Sequence, residues 1–257
     1  MLDLRGKGAI IVGARRVGAV VAERLAADGV NLAIVYRRSK DEAQQLLDRV
    51  RPLAERSTVL QADLGVEADV ARAVTEARES LGDLSICLNL AADYPRAPFA
   101  DLDEAAWDRG MAIAKGSYLL ALHASRAMLS RPGPTRGHLI FFGDWAAAET
   151  PYRDFLPYLT AKAAIHFMTR AFALELAPQG ILVNAILPGP IARPPEVSEA
   201  EWAAALAQAP LHRPSAADEI GELIATLLKS ETITGETLRV DSGRHIVGPG
   251  LLEAAAS

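Results

Sequence analysis

The sequence has little cysteine, no long hydrophobic run and no excess of positive charge, and each shortage excludes a class of protein. The single cysteine, Cys87, cannot form an internal disulfide, and it lies in the apolar run LSICLNL, where a buried and reduced thiol is expected. No uninterrupted apolar segment is long enough to cross a membrane, and the first residues, MLDLRGKG, contain no apolar signal region. We therefore expect a cytoplasmic protein without a membrane partner.

Several other kinds of partner are also disfavoured. The formal net charge of −5 provides no electrostatic attraction for nucleic acid or for an anionic membrane. The five histidines lack the spacing of metal ligands, and the chain has no Gly-x-Ser-x-Gly nucleophile elbow. The sequence thus predicts a small-molecule substrate, no nucleic-acid partner and no metal site.

The 257 residues alternate short apolar segments with longer amphipathic ones. This alternation is typical of parallel strands joined by crossover helices, and half of the residues are hydrophobic, which is enough for a sizeable core. We predict an α/β fold of the Rossmann type, a doubly wound parallel sheet of about seven strands with helices on both faces. Residues 1–257 would form a single dinucleotide-binding domain, with a lid segment around 192–214. The predicted strands cover residues 8–13, 31–36, 57–62, 84–90, 138–143, 181–186 and 237–240.

A glycine-containing turn follows the first predicted strand and leads directly into a helix. Its residues are Gly13, Ala14, Arg15, Arg16, Val17 and Gly18. Glycines allow the backbone to approach a pyrophosphate closely, and a helix N-terminus presents unpaired N–H groups to it. An ordinary tight turn would have the same sequence, but the position at the first strand–helix junction favours dinucleotide binding.

Arg37, Arg38 and Ser39 follow the second predicted strand. Sites for NAD usually place an acidic residue near this point to accept the ribose hydroxyls, whereas an arginine accommodates the 2′-phosphate of NADP. The first acid here is Asp41, and guanidinium groups match phosphate geometry. A solvated basic pair at a helix entrance could have the same sequence, but the position immediately after the second strand favours NADPH as the cofactor.

The segment after Pro157 predicts one long helix that carries Tyr158 and Lys162 on the same face, because residues four apart in a helix point the same way. An ammonium group beside a phenol lowers the pKa of the phenol, which makes the tyrosine a better proton donor near neutral pH. The pattern Tyr-x-x-x-Lys is weak by itself, since a long sequence can contain it by chance.

Together these motifs resemble the short-chain dehydrogenase/reductase family, with matches along nearly the whole chain. The further matches are Asp63-Leu64, Asn89-Leu90-Ala91-Ala92, Asn184, Pro188-Gly189-Pro190-Ile191 and the VDSG segment at 240–243. The resemblance implies that Asp63 and Leu64 flank the adenine, that Asn89 and Ala91 line the cofactor, and that Lys162 also binds the nicotinamide ribose. It further implies that Pro188, Gly189 and Ile191 hold the nicotinamide, and that the protein is a homotetramer or homodimer.

Within that family the motifs of this chain most resemble those of the pteridine reductases. Arg15-Arg16-Val17-Gly18 and Arg38-Ser39 resemble their segments, and Asp144 falls where most of the family has a catalytic serine. The resemblance implies that Asp144, Tyr158 and Lys162 are catalytic, and that Asp144 and Tyr158 also contact the substrate. It implies as well that Arg16 and Tyr94 line the substrate pocket, although Tyr94 could instead be a packing residue of a loop.

Two departures from the family pattern leave alternatives open. Leu90 replaces the second asparagine of its motif, and the helix asparagine that positions a water behind the lysine falls near Ile113 and Ala114, neither of which has a polar side chain. The main prediction is an NADPH-dependent reductase of a C=N or C=O bond, with a pteridine-like or other heterocyclic substrate. The alternatives are a general carbonyl or alcohol dehydrogenase of a biosynthetic pathway and a catalytically weak or inactive cofactor-binding protein.

Overall fold

The computed structural model describes residues 1–91, 93–147, 150–193 and 197–247. Within these ranges, seven parallel strands form one sheet in the order β3-β2-β1-β4-β5-β6-β7. The strands are β1 (Gly8–Val12), β2 (Asn31–Tyr36), β3 (Thr58–Gln61), β4 (Ile86–Asn89), β5 (Gly137–Phe142), β6 (Ile181–Pro188) and β7 (Thr237–Val240).

Helices cover both faces of the sheet, which explains why the central strands are apolar along their whole length. One hydrophobic cluster joins the sheet to α1, α2 and α7, and a second joins it to α3, α4 and α5. The helices are α1 (Val17–Ala27), α2 (Lys40–Val50), α3 (Glu67–Leu81), α4 (Glu104–Met128), α5 (Leu156–Leu176), α6 (Glu199–Ala207) and α7 (Ala217–Leu228). The predicted Rossmann-type fold is confirmed, with seven strands as expected.

The strand order reverses between β1 and β4, which are neighbours in the sheet although two strands separate them in the chain. In such sheets a crevice opens beyond the carboxyl ends of the strands at this point. Gly13 follows β1, Asp144 lies two residues beyond β5, and Gly189 follows β6. The topology therefore brings the ends of strands that are far apart in sequence to one edge.

The predicted lid around 192–214 contains the short helix α6, whose N-terminus is closed by a capping box. The Ser198 hydroxyl accepts from the backbone N–H of Glu201 at 3.2 Å, and the Glu201 carboxylate accepts from the backbone N–H of Ser198 at 2.9 Å. Residues 194–196 of the predicted lid lie outside the described ranges. None of the described helices is long and apolar enough to span a bilayer.

Candidate active site and cofactor cleft

The turn after β1 is tightly packed against the start of α1. Gly13 has a φ of 103°, and a Cβ atom at Gly18 would overlap the carbonyl oxygen of Gly13, so the start of α1 packs directly on the turn. Arg16 immediately precedes α1 with φ 52° and ψ −120°, a conformation that side chains other than glycine rarely adopt. A non-glycine residue in this conformation indicates a strained backbone, and here the strain lies next to a helix N-terminus.

The two arginine side chains of the turn are both exposed. The Arg15 Nε lies 3.7 Å from Glu42 Oε1 on α2 in an exposed ion pair. Val17 and Gly18 are buried at the beginning of α1. The backbone of the turn, more than its charged side chains, thus shapes the place where a pyrophosphate would lie.

A crevice of about 240 Å³ opens at the ends of β2 and β3. The Arg37 guanidinium lies 3.8 Å from the Asp63 carboxylate across it, and the Gln61 amide donates to the Arg37 carbonyl oxygen at 3.1 Å. Arg38 is exposed beside this crevice, and Ser39 directly precedes α2. Sequence reasoning identified Arg37 and Asp63 but missed the other lining residues, which are Gln61, Ala62, Asp69 and Arg72.

Asn89 anchors the segment after β4. Its amide donates to the Ser117 hydroxyl on α4 at 2.9 Å, and its side-chain oxygen accepts from the Ala91 backbone N–H at 3.3 Å. Leu64 packs on the same helix, where a Cβ atom at Gly116 would come within 2.8 Å of it. Asn89 and Leu64 therefore both contact α4, and the backbone of Ala91 is bonded to Asn89. Their role in binding a cofactor stays a prediction, and Ala92 of the same motif is outside the described residues.

The segment after β6 is fixed by backbone hydrogen bonds. The Gly189 N–H donates to the Val240 carbonyl at 3.0 Å, and the Pro190 carbonyl accepts from the Ser215 N–H at 2.8 Å. A Cβ atom at Gly189 would lie 3.0 Å from the Asp241 Cα atom, so a larger residue here would require Asp241 to shift by a few tenths of an ångström. Pro188 is buried, and Ile191 packs against the core beside it.

These features together test whether a nicotinamide dinucleotide fits. A tight glycine turn begins a helix, a crevice with a guanidinium lies at the ends of β2 and β3, and a rigid segment follows β6, all at the edge where the strand order reverses. This is the arrangement that a dinucleotide requires. The residues fit the group, and no cluster of three or more histidine, cysteine or acidic residues among those described could hold a metal ion.

Asp144, Tyr158 and Lys162 converge beyond the end of β5. The Tyr158 hydroxyl donates to Asp144 Oδ2 at 2.9 Å, and Asp144 Oδ1 accepts from the Ala146 backbone N–H at 2.9 Å. The Lys162 ammonium donates to the Phe142 carbonyl oxygen at 2.7 Å and lies 5.7 Å from the centre of the Tyr158 ring. All three predicted catalytic side chains are buried, with exposures of 8%, 6% and 1%.

The electrostatics differ from the sequence-based expectation in one respect. Burial, together with the neighbouring Asp144 carboxylate, raises the pKa of Tyr158 well above its ordinary value, so the net shift is opposite to the lowering that we predicted. The physical reason is that Tyr158 is hydrogen-bonded to a carboxylate, whereas Lys162 is bonded to a backbone carbonyl. Burial also lowers the pKa of Lys162 to about 8, against an opposing effect of Asp144.

Asp144 is itself perturbed. Burial raises the pKa of its carboxyl, and this effect is opposed by the hydrogen bonds from Ala146 and Tyr158, by the charge of Lys162 and by a bond from Tyr152. A carboxyl with a raised pKa can act as a hydrogen-bond acceptor when it is ionised or as a proton donor when it is protonated.

Five aromatic side chains, Tyr158 included, pack together, and we call them the aromatic cluster: Tyr94, Trp145, Tyr152, Phe155 and Tyr158. The Tyr94 ring stacks on Phe155 at 4.1 Å between centroids and meets Tyr158 edge-on at 4.9 Å. Tyr152 stacks on Trp145 at 6.2 Å, and its hydroxyl donates to Asp144 Oδ2 at 3.3 Å. The structure thus brings the predicted Tyr94 to the candidate site, and it adds Tyr152, Phe155 and Trp145, which sequence reasoning did not single out.

Arg244 is a further residue that the sequence did not indicate. It is 7% exposed, its guanidinium lies 5.0 Å from the centre of the Trp145 ring, and it donates to the Gln208 side chain at 2.8 Å and to the Ala205 carbonyl. Burial lowers its pKa. Arg244 therefore connects α6 to the aromatic cluster, across a sequence distance that no local pattern reveals.

Comparisons with known proteins show which proteins this chain resembles. The family model described as enoyl-(acyl carrier protein) reductase matches residues 13–245. The short-chain reductase protein NovJ of Streptomyces niveus is 30% identical over 248 residues, covering 92% of this chain and 93% of its own. The 2-(S)-hydroxypropyl-CoM dehydrogenase 3 of Xanthobacter autotrophicus is 30% identical over 238 residues, covering 84% of this chain and 92% of its own.

A solved structure agrees with the sequence relatives. The short-chain dehydrogenase of Burkholderia cenocepacia, crystallised in complex with NADP, superposes with a TM-score of 0.86 at 28% identity, covering 95% of this chain and 99% of that one. The match extends from the glycine turn through the tyrosine and lysine to the segment after β7. The chain belongs to the short-chain dehydrogenase/reductase family of oxidoreductases.

Proposed function

We propose that this protein is an NADPH-dependent reductase acting on a C=N or C=O bond. When bound, NADPH supplies the hydride that reduces the electrophilic carbon. Gly13 and the N-terminus of α1 would hold the pyrophosphate, Arg38 and Ser39 the 2′-phosphate, and the segment from Pro188 to Ile191 the nicotinamide. The solved relative that binds NADP supports this choice of cofactor.

The residues around Tyr158 would handle the proton. Its hydroxyl carries a proton at neutral pH, because its pKa is raised, and it lies on the helix face that it shares with Lys162. Lys162 supplies a fixed positive charge nearby, at 5.7 Å from the ring centre, which opposes the build-up of negative charge as the phenol gives up its proton. The Phe142 carbonyl holds that ammonium group in place.

The observation that carries the choice of substrate is Asp144, a buried carboxyl 2.9 Å from the Tyr158 hydroxyl. A serine at this position would offer one neutral hydrogen bond to a carbonyl oxygen. A carboxyl can instead pair with a protonated ring nitrogen, or donate a proton once its pKa is raised. This chemistry favours a nitrogen heterocycle of the pteridine type over a plain ketone.

The aromatic cluster supports a flat substrate. Tyr94 is 52% exposed, stacks on Phe155 and meets Tyr158 edge-on, so the aromatic cluster reaches the surface through its ring. Rings of this kind stack on planar heterocycles in offset or edge-on arrangements. Arg16, at the strained turn, is the candidate for holding the polar edge of such a substrate beside the cofactor.

A second candidate function is the interconversion of an ordinary carbonyl compound and its alcohol. It is favoured by the relative named 2-(S)-hydroxypropyl-CoM dehydrogenase 3, whose name describes the oxidation of a hydroxyl group. The two candidates differ in what Asp144 contributes, because a neutral ketone has no ring nitrogen to pair with a carboxylate.

The experiment that separates them compares Asp144→Ser with the wild-type protein on two substrates, an oxidised pterin and a simple aryl ketone. NADPH oxidation is followed by absorbance. We expect kcat/KM for the pterin to fall far more than kcat/KM for the ketone. If the ketone is the better wild-type substrate and Asp144→Ser leaves its rate unchanged, the heterocycle assignment is wrong. If the protein binds NADPH but does not oxidise it in the presence of any pterin, quinone, imine or ketone, the inactive cofactor-binding alternative is favoured instead.

We also propose that the protein is a homotetramer or homodimer that pairs through α4 and α5. These helices expose large apolar side chains, with Tyr118 at 46%, Phe167 at 68% and Leu174 at 78%. An apolar surface of this kind is typical of a protein interface. Light scattering after size-exclusion chromatography should give the mass of a dimer or tetramer, and Phe167→Lys should reduce it; a monomeric wild-type protein would contradict the proposal.

A further inference from the structure

Arg244 is a buried cation whose hydrogen-bond donors are only partly used. Its side chain is 7% exposed, and it donates to the Gln208 side chain at 2.8 Å and to the Ala205 carbonyl oxygen, both at the C-terminal end of α6. A guanidinium group has five N–H donors and keeps its charge in proteins. The Nε atom of Arg244 is buried and has no hydrogen-bond partner among the described residues. An unpaired donor therefore remains on one edge of the group.

The hydrogen-bond partners of Arg244 leave its charge without a carboxylate in contact. Both partners on α6 are neutral, and Asp241 and Asp144 act on Arg244 through their charge without a hydrogen bond. The Asp241 carboxylate has partners of its own, since it lies 2.8 Å from His245 Nδ1 and accepts from the Gly243 backbone N–H at 3.1 Å. A buried charge without a paired opposite charge is costly, so an anionic group of a ligand would be bound favourably here.

Arg244 lies where three parts of the candidate site meet. Its guanidinium is 5.0 Å from the centre of the Trp145 ring, which belongs to the aromatic cluster, and Trp145 directly follows Asp144 in the chain. The hydrogen bonds to α6 connect it to the predicted lid. On the third side, the backbone of Asp241 packs against Gly189 in the segment after β6. The cation thus borders both the proposed substrate site and the proposed nicotinamide site.

We propose that Arg244 is a specificity-determining residue that binds a carboxylate group of the substrate. A carboxylate accepts two parallel hydrogen bonds from the edge of a guanidinium, here from Nε and a neighbouring Nη. The inference rests on the proposed function and deepens it, because it makes the substrate an aromatic or heterocyclic acid. Asp144 would then recognise the reacting ring and Arg244 its acidic substituent.

A purely structural role for Arg244 makes a different prediction. If the guanidinium only held α6 against the aromatic cluster, its loss would weaken the binding of every substrate to the same extent. If it pairs with a carboxylate, its loss would weaken the binding of acids and leave that of neutral analogues nearly unchanged. The informative quantity is therefore the ratio of the dissociation constants of a matched neutral and acidic pair.

The binding test uses a pterin carboxylate and the corresponding pterin carboxamide, which share the ring and differ in charge. Binding is followed by the fluorescence anisotropy of the pterin, with NADP⁺ present so that no turnover occurs. We expect the wild-type protein to bind the acid about 10- to 100-fold more tightly than the amide, the contribution of a charge-assisted hydrogen bond. Arg244→Gln should bring this ratio close to one.

Two further variants control for charge and for folding. Arg213→Gln removes the same charge from an exposed arginine of the predicted lid, and it should keep the wild-type ratio. Arg244→Lys keeps the charge but loses the two-pronged geometry, so it should lower the ratio by several-fold. It replaces Arg244→Gln in the comparison if circular dichroism shows that the glutamine variant does not fold.

A kinetic readout extends the test to carbonyl substrates. NADPH oxidation is measured with a carboxybenzaldehyde and with the corresponding carbamoylbenzaldehyde. In the wild-type protein KM for the acid should be about tenfold or more below KM for the amide, with similar kcat. Arg244→Gln should raise KM for the acid alone.

Equal affinity of the wild-type protein for acid and amide in both pairs would overturn the proposal and leave the reductase assignment intact. An equal loss of affinity for acid and amide in the Arg244 variants, or a ratio unchanged from the wild-type value, would overturn it as well and would leave Arg244 with a structural role. A wild-type protein that prefers the acid in the binding test but oxidises NADPH with none of these compounds would support the carboxylate site and count against the reductase.

Discussion

The protonation of Lys162 should set the upper pH limit of activity. Lys162 is 1% exposed, its ammonium group has the Phe142 carbonyl as hydrogen-bond partner at 2.7 Å, and burial lowers its pKa from 10.5 to about 8. Tyr158 stays protonated through the same range, because burial and Asp144 raise its pKa well above 10. A loss of activity above pH 8 would therefore report the lysine and not the tyrosine.

The size of the effect follows from the fraction of Lys162 that keeps its proton. With a pKa of about 8, about one tenth remains charged one pH unit higher, so kcat/KM should fall by about tenfold at pH 9 and continue to fall at pH 10. Lys162→Arg is the matched variant, because a guanidinium stays charged throughout this range. Its kcat/KM should be lower overall but constant between pH 7 and about pH 10.

The stability contribution of Lys162 has the opposite sign to the predicted loss of activity. The pKa of the side chain is 10.5 in the unfolded chain and about 8 in the folded protein, so the unfolded state binds more protons between these values. This contribution to the free energy of unfolding therefore rises as the pH increases through that window. Circular dichroism at each pH provides the control. A wild-type profile that stays level to pH 10, or a parallel fall in Lys162→Arg, would refute the reasoning.

Three further predictions concern other parts of the structure. Arg38→Ala should weaken NADPH binding by about 10- to 100-fold, the contribution of one charge-assisted hydrogen bond, and leave NADH binding unchanged in fluorescence titrations. Arg51→Ala, at the other end of α2, should change neither affinity. An equal loss of affinity for both cofactors in Arg38→Ala would count against the 2′-phosphate site. His138 is buried and its pKa is lowered from 6.5 to about 4, so the wild-type protein should lose up to about 3 kcal/mol of stability as the pH falls through that range, and His138→Leu should lose less between pH 7 and pH 5 in urea titrations. Arg16→Gly should increase the free energy of unfolding by about 1 kcal/mol or more, because it relieves the backbone at φ 52°, and unchanged stability would show that the turn is not strained.

Most of the fold could be predicted from the sequence, because strands buried on both faces stand out as apolar runs. The predicted bounds 31–36 and 237–240 coincide with those of β2 and β7, and the other strands differ by one or two residues at their ends. The glycine turn and the tyrosine–lysine pair were also accessible, since each depends on spacing within one local segment.

The chemistry around Tyr158 could not be predicted in the same way, because it depends on contacts between segments. Spacing alone places Lys162 one helical turn from Tyr158. The structure shows that the Lys162 ammonium donates to the Phe142 carbonyl oxygen, and that the Tyr158 hydroxyl donates to Asp144. Tyr152 lies in an irregular segment that has no periodic pattern. Arg244 reaches the site from a segment almost one hundred residues farther along the chain, and only the folded arrangement reveals it.

The most direct test of the account is the activity of Tyr158→Phe with NADPH. The central claim is that the Tyr158 hydroxyl protonates the substrate as NADPH reduces it, and this substitution removes the hydroxyl while it keeps the ring contacts with Tyr94 and Phe155. The account predicts unchanged NADPH affinity in a fluorescence titration and a kcat reduced by about 10²- to 10⁴-fold, the usual contribution of a positioned proton donor. Wild-type kcat in Tyr158→Phe would contradict the claim and would make Asp144 the proton donor instead.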